Sequence, residues 1–219
     1  MARGVIVNGA EIASVEMSSE RGTTFAALGF LRRVFHVVRD LPDRLLRHRR
    51  HVAARNRLSR MHRPRSLLVV CYGNVCRSPY LEAILQRAMP DIRVESAGFV
   101  GPGRPMPPLA LTVSAQRGLD LSTFRSRPLT PALVRDADLI VVMDGDQARN
   151  VERSFRVTRN RVVVAGDLDP VPAETRAIAD PWDQPIDAFV SSYNRLDRCA
   201  ATLVSALSSG LGSARPLRQ

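Results

Sequence analysis

Four short apolar runs mark the chain beyond residue 65: SLLVVC at 66–71, IRVESA at 92–97, DLIVVMD at 138–144 and RVVVAGD at 161–167. They are largely continuous rather than alternating, the pattern of strands covered on both faces. Helix-like stretches lie between them, at 79–89, about 107–118, 130–135 and 145–154, and a long one follows at about 186–208. This alternation predicts an α/β domain built on a buried parallel sheet. In such sheets ligands bind beyond the carboxyl ends of the strands. Cys71, Ser96-Ala97-Gly98 and Asp144 occupy three of those ends.

The first 64 residues read differently. Residues 1–24 are polar and rich in Gly, Ser and Thr, without a sustained period, and are expected to be disordered. Met17 is an alternative start, which would leave 1–16 outside the protein. Residues 25–60 look helical, with Leu28, Leu31, Phe35 and Val38 on one face. Leu41-Pro42 breaks that helix, a very basic stretch runs from Arg44 to Arg60, and His62-Arg63-Pro64 reads as a linker. The expected organisation is a basic, partly disordered and partly helical extension over 1–64, a domain over 65–209 and a flexible tail over 210–219.

Charge sharpens that division. The formal net charge is +11, and all 32 basic residues are arginine. Residues 1–64 hold 13 Arg and 5 acids, so the excess sits in the extension. Such a balance allows an anionic membrane surface or an acidic partner to dock on residues 25–60. The alternative is a solvated segment or a cover over the domain. Aromatic residues are only 5% and do not interleave with arginine, so no nucleic-acid partner is expected. No membrane span is expected either, because no run reaches 18 apolar residues, and the N-terminus lacks a secretory signal. Three cysteines, two of them five apart, make no disulfide framework, and a reducing cytoplasm is the expected setting.

The stretch Cys71-Tyr72-Gly73-Asn74-Val75-Cys76-Arg77-Ser78-Pro79 carries the clearest chemistry. Ser78 as N-cap and Pro79 as first helical residue would start a helix there. The loop would then wrap the positive end of that helix, where free N–H groups point inward. Gly73 permits the turn, Asn74 tolerates left-handed geometry, and Arg77 offers a planar fork matched to two oxygens of a tetrahedral anion. Helix N-termini and nearby cations lower a thiol pKa from about 8.5 to roughly 3.5–7.5. Cys71 is therefore the expected nucleophile toward a bound phosphoryl group, with the Ser78 hydroxyl supporting the sulfur.

All four histidines, His36, His48, His51 and His62, precede residue 65. A Cys-His hydrolase has no base within the domain, and a Cys/His zinc site is equally poorly supplied. No metal or other cofactor is expected. No Gly-Lys-Ser/Thr follows the loop, which excludes a Walker-type nucleotide site. For a leaving-group acid, Ala179-Asp180-Pro181-Trp182 offers Asp180, with Trp182 as a wall for an aromatic substrate. Cys76 either pairs with oxidised Cys71 or fills the loop base. Tyr72 either borders the pocket or packs, Cys199 belongs to packing, and Arg125 and Arg127 are loop braces before they are ligands.

Together these residues resemble the low-molecular-weight protein tyrosine phosphatase family. The signature Cys-x5-Arg-Ser with Gly-Asn inside is matched at 71–78, and the likeness continues through Glu95-Ser96-Ala97-Gly98, 120–127, 137–144 and Asp180-Pro181. The resemblance covers about 65–209. It implies a four-stranded parallel sheet, doubly wound in three layers, with Cys71 as nucleophile, Arg77 as phosphate clamp and Asp180 as general acid and base. Asn74 and Ser78 would support the loop, and Tyr72, Gly73, Val75, Cys76 and Trp182 would bind substrate. It further implies a phosphotyrosine protein as substrate, such as a bacterial tyrosine kinase of exopolysaccharide export. Phe124 stands where many members have His, and Pro107-Pro108 where members often carry an acid.

Three rivals remain at this stage. Arsenate reductases share the loop in some lineages but relay a disulfide through further cysteines, and only Cys199 is available. Protein-arginine phosphatases resemble the family but tend to carry Thr where Val75 sits. The third rival is a non-catalytic basic scaffold.

Overall fold

The structure, a computed structural model, describes residues 45–209. The expectations for 1–24, for the Leu28–Val38 face and for the tail at 210–219 lie outside the described residues. The described part begins in a helix, α1, over 45–60. It continues through β1 (Ser66–Cys71), α2 (Arg77–Ala88), β2 (Arg93–Gly98), α3 (Pro108–Ala115) and α4 (Pro131–Asp136). β3 (Leu139–Val142), α5 (Gly145–Ser154), β4 (Val162–Val164) and the long α6 (Ile186–Ser209) complete it.

The four strands form one parallel sheet in the order β2-β1-β3-β4. The chain winds from β1 to one side and from β3 to the other, so the switch point falls between β1 and β3. Cys71 ends β1 there, in register with Gly98 at the end of β2.

Every residue of β1 is buried, as its unbroken apolar run requires. Leu67, Val69 and Cys71 face one core with residues of α2, α3 and α6, while Leu68 and Val70 face a second core with Val134 of α4 and Val151 of α5. The two faces and their helices make the three layers.

β3 is shorter than its apolar run because its flanking acids have other tasks, and β4 ends where the chain turns into a short 3-10 helix at Ala165–Leu168. Asp138 Oδ2 accepts from the Arg65 N–H at 2.7 Å. Asp144 caps α5, accepting from the Gln147 N–H at 2.7 Å.

One further expectation changes. α2 starts at Arg77 with Cys76 in the cap position, so Ser78 and Pro79 lie inside its first turn and Ser78 caps nothing. Its hydroxyl is drawn instead to the Cys71 sulfur. Helix α1 lies in the same compact unit as the sheet. Ala54 and Leu58 are buried in the first core, and one such leucine is worth about 1.5–3 kcal/mol. Arg47 donates to the Pro170 carbonyl at 2.9 Å, and Arg57 to the Val162 carbonyl at 2.8 Å. The Arg44–Arg60 charge hides an apolar edge that the domain uses.

Candidate active site

β1 delivers Cys71 to the switch point, and the loop 72–76 turns back over it into α2. Asn74 takes φ of 52°, the left-handed conformation that asparagine tolerates. That turn aims its backbone N–H at the Cys71 sulfur, 3.2 Å away. Ser78 Oγ donates to the same sulfur at 3.0 Å. Two donors therefore converge on one sulfur.

A chain of side chains fixes the direction of these bonds. Asn74 Nδ2 donates to Ser78 Oγ at 2.9 Å and to Ser96 Oγ at 2.8 Å. The Ser78 oxygen thus accepts from asparagine, and its own proton is left for sulfur. Ser96 in turn donates to Glu82. Burial pushes the Glu82 carboxyl up, and its hydrogen bond from Ser96 opposes that shift. Asn74 Oδ1 accepts from the Arg127 N–H at 2.9 Å, and Arg127 Nε donates to the Ser96 carbonyl at 2.6 Å. Arg127 therefore braces the loop, while Arg125 bonds its own turn through the Phe124 carbonyl.

Gly98 lets the loop sit this close to β2. A Cβ there would lie 2.7 Å from the Asn74 nitrogen and 2.9 Å from the Gly73 carbonyl carbon.

Arg77 is nearly buried, at 4% exposure. Its Nη1 donates to the Ile178 carbonyl at 2.9 Å, and its Nη2 pairs with Asp180 Oδ2. Its Nε is buried without a hydrogen-bond partner among the described residues, a rare and costly state for a guanidinium donor. Asp180 also accepts from the Trp182 N–H at 3.2 Å.

These groups surround a cleft of about 180 Å³ lined by Cys71, Tyr72, Gly73, Val75, Cys76, Asp180 and Trp182. Tyr72 and Trp182 are 59% and 49% exposed, so both are rim residues rather than core. Asn74 and Ser78 are fully buried behind the loop. Cys76 is buried, and burial first, then the nearby Asp180 and Cys71, push its thiol up to about 12. Tyr193 Oη donates to the Cys76 carbonyl at 3.1 Å, tying the loop base to α6. Cys199 is buried on α6, where burial pushes its thiol up to about 12. Among the described residues no cluster of His, Cys, Asp and Glu is placed to hold a metal ion.

Arg104 is a cleft residue that no local motif singles out. Its Nη2 donates to the Gly73 carbonyl at 2.8 Å, and its guanidinium lies 5.8 Å from the Trp182 ring centroid. It joins the loop to the wall that carries Asp180. Glu82 and Ser96 were likewise hidden as a pair, although the Glu95–Gly98 segment marked the strand end.

The arrangement is a cradle of inward donors with a sulfur at its base, a buried guanidinium beside it and a carboxylate at its edge. The chain that builds it is similar to known proteins. A family model described as low molecular weight phosphotyrosine protein phosphatase matches residues 66–211. The probable low molecular weight protein-tyrosine-phosphatase EpsP of Ralstonia nicotianae is 37% identical over 135 residues, which is 61% of this chain and 90% of that protein. The low molecular weight protein-tyrosine-phosphatase Wzb of Escherichia coli is 36% identical over 148 residues, covering 65% and 95%. The crystal structure of the Erwinia amylovora tyrosine phosphatase AmsI superposes with a TM-score of 0.62 at 34% identity, covering 66% of this chain and 94% of that one. The stretch that supplies the sheet, the loop and the carboxylate is the stretch that matches, and this chain belongs to the low molecular weight protein-tyrosine-phosphatase family.

Proposed function

We propose that this enzyme hydrolyses phosphotyrosine in proteins through a phosphocysteine intermediate. The observation that carries the reading is the Cys71 sulfur, which accepts from the Asn74 N–H and the Ser78 hydroxyl at the base of a cleft edged by Asp180, with the buried Arg77 guanidinium paired to that carboxylate. The sulfur attacks phosphorus, the P–O ester bond breaks, and Asp180 gives its proton to the departing phenolic oxygen. The Asp180 carboxylate then takes a proton from water. The resulting hydroxide attacks phosphorus, the P–S bond breaks, and Ser78 steadies the released thiolate.

Arg77 clamps two phosphoryl oxygens and stabilises their charge in the transition state. The orphan Nε supplies one arm of that clamp. A bound dianion also competes with Asp180 for Nη2.

The exposed rings of Tyr72 and Trp182 suit an aryl phosphate, since a flat ring can lie between them. Val75, on the cleft wall, supports the tyrosine reading over an arginine phosphatase. A tyrosine kinase of exopolysaccharide export is the proposed cellular substrate, on the family resemblance. The test is a panel of phosphotyrosine, phosphoserine and phosphoarginine peptides with the full chain. Turnover confined to phosphotyrosine is expected, and preferential turnover of phosphoarginine would replace this reading.

A further inference from the structure

Away from the cleft, a cavity of about 440 Å³ opens between α1, α5 and β4. Its wall carries five guanidinium groups: Arg50 and Arg57 of α1, Arg149 of α5, Arg159 before β4, and Arg176. Two carboxylates, Glu152 and Asp167, oppose them. Ala148 and Val162 contribute apolar surface. The volume falls within the ~300–1,000 Å³ typical of ligand pockets.

Among the lining residues guanidinium groups outnumber carboxylates five to two. Asp167 is engaged by Arg176, whose Nε donates to Oδ1 at 3.0 Å. Arg149 pairs with Asp146, whose side chain is 88% exposed and so screened by water. Arg57 donates through its two Nη atoms to the Arg159 and Val162 carbonyls at 3.2 and 2.8 Å, and these are neutral acceptors. Its Nε is buried with no hydrogen-bond partner among the described residues. Burial holds the Arg57 pKa below the usual guanidinium value; Asp167 and, more weakly, Glu152 oppose that shift, and Arg159 adds to it.

The cations also converge. A Cβ built on Gly145 would lie 3.5 Å from a guanidinium nitrogen of Arg149 and 3.5 Å from one of Arg176. Both therefore sit over the first turn of α5, where the helix dipole adds positive potential. The Asp144 carboxylate caps that turn through Gln147 and is not among the groups lining the cavity. The α1 wall lies outside the stretch that matches the family, which begins at residue 66.

We propose that this cavity is a second, non-catalytic binding site for a small organic polyanion, a phosphate ester carrying at least two negative charges. Arg57, Arg149 and Arg159 hold its charged end, and its apolar part rests on Ala148 and Val162. The concave shape selects a small molecule, since a membrane or a folded acidic protein would meet a convex face.

Inorganic pyrophosphate is the probe, with the full-length chain. The Arg77→Ala variant disables the catalytic cleft for anions, and calorimetric titration of that variant should still show one pyrophosphate bound per chain. Adding Arg149→Glu and Arg159→Glu should weaken that binding by about tenfold or more, as loss of charge-assisted bonds requires. In the wild-type background the same two substitutions should leave aryl-phosphate turnover unchanged, since neither residue touches the cleft. Amide resonances of the wild-type chain should shift around Gly145–Arg149 and Arg159–Val164 as well as in the 71–78 loop. Shifts confined to the loop, no binding to Arg77→Ala, or undiminished binding after the double charge reversal would each overturn the proposal.

Discussion

Arg77 and Asp180, 103 residues apart in sequence, form an ion pair from Nη2 to Oδ2 in which the guanidinium side chain is 5% exposed and the carboxylate side chain 42%. Nη1 is meanwhile anchored on the Ile178 carbonyl at 2.9 Å, two residues before the acid. The guanidinium is thus anchored on the chain as well as on the acid, and the carboxylate is the more exposed partner of the pair. On the proposed mechanism an arriving phosphate would take the guanidinium and leave the carboxyl beside the leaving oxygen.

From this follows a leaving-group test. Asp180→Ala should lower kcat by about 10²–10⁴ for aryl phosphates whose leaving oxygen needs a proton, and far less for those that leave as stable anions. A plot of log kcat against leaving-group pKa should be steeper for the variant. Equal slowing across the series would remove Asp180 from the acid role.

The three thiols should separate cleanly by reactivity. Burial pushes Cys76 and Cys199 each up to about 12, so both stay protonated and inert at neutral pH. Iodoacetate at pH 7 should modify Cys71 alone, and Cys71→Ser should take up no label while still binding vanadate. Mass spectrometry that finds label on Cys76 in the native chain would contradict this.

Gly98 sets how near the loop can lie to β2. Gly98→Ala places a methyl 2.7 Å from the Asn74 nitrogen, where backbone rather than a flexible side chain must yield. The Asn74 N–H then loses its aim at sulfur, and displacements of about 1 Å in such sites cost on the order of 10²-fold in rate. We expect kcat to fall that far with the fold retained by circular dichroism. Unchanged kcat would mean that the loop tolerates the shift.

What was legible in the sequence was local. The unbroken run 66–71 announced β1 to the residue, since consecutive apolar positions suit only a strand covered on both sides. Gly73, Asn74 and Arg77 announced the loop because its turn and charge demands are met by single residue types. Asp180 stood out through its Pro-Trp context. The remainder depends on contacts between distant segments. Glu82 reaches the loop only through Ser96, 14 residues on, and Arg104 reaches the Gly73 carbonyl across 31. Ser78 reads as a cap, but the helix starts one residue before it, and its oxygen accepts from Asn74 Nδ2 while its proton goes to the sulfur seven residues back. The edge of α1 was obscured because Ala54 and Leu58 are small signals among arginines.

That edge also narrows the docking expected for residues 25–60. The Ala54 and Leu58 side of α1 is committed to the domain, which leaves exposed Arg49, Arg55 and Arg60 for an anionic surface. Full-length chain should co-sediment with phosphatidylserine vesicles at low salt, and binding should fall steeply as salt rises. Arg49→Glu with Arg55→Glu should weaken it without changing aryl-phosphate turnover. Absence of salt-sensitive sedimentation would end the membrane reading.

Asp169 holds the connection between β4 and α6, and its acidity should be visible in stability. Its side chain is 1% exposed and faces Arg195 Nε at 3.0 Å and Arg198 Nε at 2.8 Å. Burial raises its pKa, but the hydrogen bonds from Arg198 and the Val171 N–H, with the charges of Arg198 and Arg195, outweigh that and hold it below the usual carboxylate range. A depressed folded-state value stabilises the fold above the unfolded pKa of about 3.9 and loses that contribution as pH falls through the folded value. Asp169→Asn leaves the two guanidinium groups without their buried counter-charge, at a cost on the order of 3 kcal/mol at pH 7. Urea melts should show the gap between wild type and variant narrowing as the pH is taken below about 4. A gap that stays constant across that range would show that the charge on Asp169 contributes nothing to the fold.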